Sequence, residues 1–141
     1  MSAIQLAALA RTLDPHAVLR RFLALDAVVT GANGVAYLAA SGPLGRFLGV
    51  DSTLLLGLGA LLAVYGAAVG LLATRARPAA LPVRAVVEVN LAWTALSCVA
   101  LVLWPSPTTA GAVWTVLQAL VVAGFALLQF AALKNRQGSS D

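Results

Sequence analysis

At 141 residues, 61% of them hydrophobic and only 10% charged, this chain has too little charge to cover the surface of a soluble domain. Its mean hydropathy of +0.94 makes lipid part of its solvent. At about 20 apolar residues per crossing, the length holds about four spans with short loops and leaves no room for a separate soluble domain. The net charge of +4 does not indicate nucleic acid, because the basic residues flank apolar stretches and form no patch.

The first thirteen residues carry Ile4, Leu6, Leu9 and Leu13 partly at helical spacing, with Gln5 and Arg11 elsewhere. Two expectations stand for 1–13, a short helix lying on the cytoplasmic face or disorder. No small-residue cleavage site marks a signal peptide. The first span is expected over about 20–40. Asp14-Pro15 reads as an N-cap followed by proline in the first turn, so its helix starts before the bilayer, and Ser41-Gly42-Pro43 stops it. Residues 44–50 suit a short interfacial turn.

A second span over about 53–73 is opened by Asp51-Ser52 and closed before Thr74-Arg75. A third over about 83–104 follows Pro78 and Pro82, and a fourth over about 109–133 follows Trp104-Pro105-Ser106-Pro107. The tail over 134–141 is polar and is expected to be disordered. The fold class is therefore all-α: a single membrane-spanning four-helix bundle over 1–141.

Orientation comes from the arginines. Arg11, Arg20 and Arg21 precede the first span, Arg75, Arg77 and Arg84 lie at the central loop, and Lys134 and Arg136 are in the tail. The other two loops carry only Arg46. Cationic loops resist translocation, so both termini are expected in the cytoplasm, with Trp104 marking the opposite interface. Eight arginines against one lysine, in an alanine-rich chain, suggest a GC-rich bacterial genome and hence the bacterial plasma membrane.

Small residues mark a packing face on the second span, where Gly59, Ala63, Gly66 and Gly70 step by four, three and four. Close backbone approach is what brings helices together in lipid. The face is either a seam within the bundle or the interface of a homodimer.

Polar residues at membrane depth are costly, so their faces are informative. Asp26, Thr30, Asn33 and Tyr37 form one stripe on the first span, and Asn90, Thr94 and Ser97 form another on the third. Aligning Arg20 with Arg84 lays Asp26 on Asn90, Thr30 on Thr94 and Asn33 on Ser97, which hints at two related helical hairpins. Asp26, Glu88, Asn90 and Gln129 are expected at similar depth in the cytoplasmic leaflet, while the outer half reads as plain. The candidate site is thus Asp26, Thr30, Asn33, Glu88, Asn90 and Gln129. It is either a set of satisfied ion pairs (Arg84 with Glu88, Arg20 or Arg21 with Asp26) or a cytoplasm-facing cavity for a proton, a small cation or a polar head group. Gln118 on the fourth span is a candidate partner for Asn33.

Catalytic chemistry is harder to assemble. The lone His16 lies outside the spans and the lone Cys98 has no second thiol, so neither a metal-ligand cluster nor a nucleophile–base arrangement can be drawn. No cofactor is implied, and an enzymatic role needs an external cofactor or partner.

The stretches Asp26-Ala27-Val28-Val29-Thr30-Gly31-Ala32-Asn33-Gly34 and Val86-Val87-Glu88-Val89-Asn90-Leu91-Ala92-Trp93 resemble small actinobacterial integral membrane proteins. More distantly, the four-span layout is similar to the DoxX-like superfamily. That resemblance implies a small subunit of a membrane redox or thiol-handling assembly, although this sequence lacks a cysteine pair. Three functions are expected in order: a non-enzymatic accessory or scaffold subunit working with a partner membrane protein, a small carrier or channel for a proton, cation or lipid-like solute, and a redox-linked DoxX-like subunit.

Overall fold

The structure, a computed structural model, describes residues 2–5 and 14–140. Five helices follow in order: α1 (Pro15–Ala39), α2 (Ser41–Leu48), α3 (Ser52–Ala73), α4 (Ala80–Leu103) and α5 (Thr109–Ser140). Four of them, α1, α3, α4 and α5, are long and apolar enough to cross a bilayer, which makes this a multi-pass membrane protein with an all-α bundle fold. The candidate interfacial helix over 1–13 lies mostly outside the described residues, of which residues 3–5 are helical.

The helix starts follow from local chemistry. Asp14 Oδ1 accepts the His16 N–H at 3.1 Å, and Pro15 sits where its missing N–H leaves nothing unpaired. Asp51 caps α3 in the same way through Thr53 N–H at 3.2 Å. Two boundaries differ from the sequence expectation. Ser41-Gly42-Pro43 does follow the end of α1, but in place of a short turn over 44–50 it opens a helix, α2, in whose first turn proline is tolerated. The tail expected to be disordered from 134 instead continues α5 to Ser140. Lys134, Asn135, Arg136 and Gln137 include good helix formers, and Arg136 is buried with its Nη1 donating to the Pro78 carbonyl.

The bundle is two unequal hairpins. α1 packs along α3, α4 packs along α5, and α1 joins the pairs by lying against α5, whereas α3 and α4 scarcely touch. Glycine sets the first seam. A Cβ on Gly34 would stand 2.6 Å from Ala63 N, one on Gly59 would stand 2.9 Å from Gly34 O, and one on Gly66 would stand 2.9 Å from Gly31 N. Backbone meets backbone here, so the Gly59–Ala63–Gly66 face is occupied by α1 within the chain and is not left open for a homodimer. Gly70 continues the same face, with the Ala27 Cβ at 3.7 Å from where its own Cβ would be.

One end of the bundle carries Arg20, Arg84 and Lys134 and is called the basic end. It is closed by an apolar plug of Leu19, Leu23, Val69, Val83, Val86 and Leu133, drawn from all four long helices. At the far end α2 packs on α3 and α5, turning through the left-handed Gly49 (φ 71°). Gly111 lies so close to the Leu48 carbonyl that no side chain would fit.

Candidate functional site

Immediately inside the plug, all four long helices contribute to a buried polar cluster: Asp26 and Thr30 from α1 and one side chain each from α3, α4 and α5. Asp26 of α1 is 1% exposed, Asn90 of α4 3% and Gln129 of α5 0%. Asp26 Oδ2 accepts from Asn90 Nδ2 and from Gln129 Nε2, both at 2.8 Å, and Asp26 Oδ1 accepts from Thr30 Oγ1 at 2.9 Å. Asn90 Nδ2 also reaches Gln129 Oε1 at 3.0 Å, and Asn90 Oδ1 accepts from Tyr65 of α3 at 3.0 Å. Three donors converge on the Asp26 carboxyl group, so the buried polar groups satisfy one another.

Among the sequence-predicted site residues, the structure brings Asp26, Thr30, Asn90 and Gln129 together. Glu88 stands apart: it is exposed on the outer face of α4, two residues from Asn90 and therefore on a different side of the helix. Asn33 is half-buried one turn further along α1, away from the cluster.

Neither expected form of the site is what is built. Among the described residues no ion pair joins Arg84 to Glu88 or either Arg20 or Arg21 to Asp26. Arg20 and Arg21 lie six and five residues from Asp26, off its helix face, and Arg20 Nε instead donates to the Ala73 carbonyl at 3.0 Å. Arg20 and Arg136 thus hold the carbonyls at either side of the α3–α4 loop, leaving Asp26 to neutral donors. An opening toward the basic end is blocked by the Leu19–Leu23–Val83–Leu133 plug.

The far half, which the sequence reads as plain, holds two further polar layers. Gln118 does not meet Asn33. Its Oε1 accepts from Trp93 Nε1 at 2.6 Å, and its Nε2 donates to Ser97 Oγ at 3.0 Å and to the Thr115 carbonyl at 2.9 Å. Closer to the far end, Trp114 Nε1 donates to Tyr37 Oη at 2.7 Å.

Where α3 and α4 diverge, these layers wall a cavity of about 560 Å3. Tyr37, Leu58, Trp93, Leu96, Trp104 and Trp114 line it, together with the exposed Leu54 on α3 and, toward the far end, Val50 and Asp51. Two smaller cavities, about 390 and 130 Å3, lie across the Tyr37–Trp114 pair; Asn33 lines both. None of the three is lined by Asp26, Asn90 or Gln129.

The sequence stripes included Tyr37 and Ser97, and Gln118 was expected to meet Asn33, but none was joined to its actual partner. Tyr65 and Trp93 were missed as participants. A signal existed for Tyr65, the only side chain with a strong hydrogen-bonding group between Thr53 and Thr74 on an otherwise apolar α3. Set against known proteins, the chain matches no family model, and no curated protein or solved structure is significantly similar to it.

Proposed function

We propose that the chain is a non-enzymatic accessory subunit of a bacterial plasma-membrane assembly, with both termini in the cytoplasm. The support for the role is the closure of the polar belt. A conduit for protons or cations needs polar groups that are hydrated or exchange partners, and membrane acids in pathways face cavities. Here Asp26, Asn90 and Gln129 bond to one another behind an apolar plug, which suits four helices clamped into one fixed arrangement. A bundle so fixed acts through what it contacts within the bilayer. The orientation is supported by the arginine-rich end and the lone Arg46 at the other.

The test combines two measurements on the full chain. The parent and its Asp26→Asn variant are reconstituted into liposomes and assayed for proton and potassium flux, and the parent is purified from its native membrane in mild detergent. The accessory reading expects flux no greater than in empty liposomes and a membrane-protein partner at fixed stoichiometry. Parent flux that a folded Asp26→Asn variant lacks would overturn it, as would a monomer that carries no partner.

A further inference from the structure

The lateral cavity between α3 and α4 has the makings of a ligand site that the accessory role does not require. Its volume of about 560 Å3 falls in the range of about 300–1,000 Å3 typical of small-molecule sites. Such sites pair apolar walls with a few placed polar groups, and that is what lines this one. Trp93 N–H is engaged by Gln118, and the Gln118 amide is fully bonded. Tyr37 is different. Its hydroxyl oxygen accepts from Trp114, but its own O–H meets no protein acceptor among the described residues, although the residue is only 9% exposed. Tyr37 lines this cavity, the largest of the three that it borders, so a buried donor without a protein acceptor stands at its wall.

The occupant follows from these facts. The cavity lies between two helices that would cross the bilayer, and Leu54, Leu96 and Leu103, which line it, are exposed on the surface that would face lipid. A chain can therefore enter from the bilayer, while Val50 and Asp51 line the cavity at the far end. Apart from Asp51 at the far end the walls are mainly leucine and tryptophan, which suit an apolar chain, and a free phenolic donor selects an acceptor oxygen. We propose that the α3–α4 cavity binds a single-chain lipid-like molecule bearing a carbonyl or ester oxygen, which accepts the Tyr37 hydroxyl proton while the chain lies along Leu58 and Leu96. The inference goes beyond the accessory reading and does not depend on it, since lipid binding and partner binding are scored separately.

Intrinsic fluorescence reports on this site directly, because all three tryptophans of the chain line the one cavity. The purified full-length protein, in nanodiscs of unbrominated phosphatidylcholine, is titrated with a dibrominated fatty-acid methyl ester, with the dibrominated alkane of equal chain length, and with dibrominated phosphatidylcholine. Saturable quenching by the ester is expected, reversed by unbrominated ester, at about fivefold lower concentration than the alkane, the scale of one hydrogen bond. Tyr37→Phe combined with Trp114→Phe, which removes the hydroxyl without freeing the indole N–H that it accepts from, should erase the ester's advantage while Trp93 and Trp104 still report the alkane. Ala100→Phe, which fills the cavity from α4, should abolish saturable quenching by both.

Equal quenching by ester and alkane in the parent overturns the proposal without recourse to any variant. So does quenching that rises linearly with brominated phosphatidylcholine and never saturates, which marks ordinary boundary lipid. Quenching that disappears as the protein-to-lipid ratio rises would assign the cavity to a second copy of the chain, and the proposal fails in that case too.

Discussion

Asp26 separates a hydrogen-bonding role from a charge-carrying one, because two substitutions at it diverge. In Asp26→Asn, the amide oxygen can take the place of Oδ2 and keep both interhelical bonds, from Asn90 and Gln129. The new NH2 then faces Thr30, whose hydroxyl can turn to accept. All three contacts survive, so the expected loss of stability is under about 1 kcal/mol. Asp26→Leu has similar bulk but accepts nothing. Asn90 Nδ2 keeps Gln129 Oε1, but Gln129 Nε2 loses its one partner in a site that is closed to solvent.

Interhelical hydrogen bonds in bilayers average about 0.6 kcal/mol and reach about 1.7, so losing two costs about 1–3 kcal/mol. The orphaned Gln129 amide carries the expected loss for Asp26→Leu toward 3 kcal/mol. The assay is reversible unfolding of the purified protein in mixed micelles of dodecyl maltoside and dodecyl sulfate, followed by circular dichroism. If Asp26→Asn is as damaging as Asp26→Leu, the charge and not the donor geometry holds the helices together, and the reasoning fails. A neutral Asp26→Leu would show that the cluster contributes nothing.

Gly34→Val drives a Cβ into the Ala63 and Gly59 backbone, where no side chain can yield, and should cost at least the 1–3 kcal/mol usual for overpacking; Gly57→Ala, with nothing within 4 Å, should leave the unfolding midpoint within error of the parent. Tyr65→Phe removes the donor to Asn90 Oδ1 and should cost about 0.5–1.5 kcal/mol in the same micelle titration, less than Asp26→Leu. The proposed topology is tested in a Cys98→Ser background by placing single cysteines at Arg75 and at Ser106. An impermeant maleimide added to intact spheroplasts should label the Ser106 position and spare the Arg75 position, and the reverse pattern would invert the bundle.

The sequence was most legible where a single physical rule acts alone. Apolar length placed four crossings, and Asp14 and Asp51 marked helix starts that need only a side-chain oxygen two residues ahead of an orphan N–H. Asp26 and Asn90, expected at similar depth from their distance to the arginines, are in contact at 2.8 Å. Legibility ended where direction around a helix and reach across helices decide. Glu88 shares the depth of Asn90 but points outward, and depth was the only coordinate that the basic residues supplied. Arg20 found a backbone carbonyl on α3 in place of a carboxylate, a choice set by where α3 ends.

The cavity was hidden for a related reason: it belongs to no single element. It exists because two hairpins pack at different spacings. Gly34, Gly59 and Gly66 sit on α1 and α3 and draw those helices into backbone contact. The three tryptophans sit on α4, at its end and on α5, and all line the cleft. With α1 shared between the pairs, α3 is pulled away from α4 on the side where the tryptophans stand. Small residues on one hairpin and large ones on the other therefore produce a tight seam and an open cleft together. Widening the first should narrow the second, so Gly34→Val is expected to weaken quenching by the brominated ester before it unfolds the protein. A Gly34→Val variant that stays folded and binds the ester as the parent does would show that seam and cleft are independent.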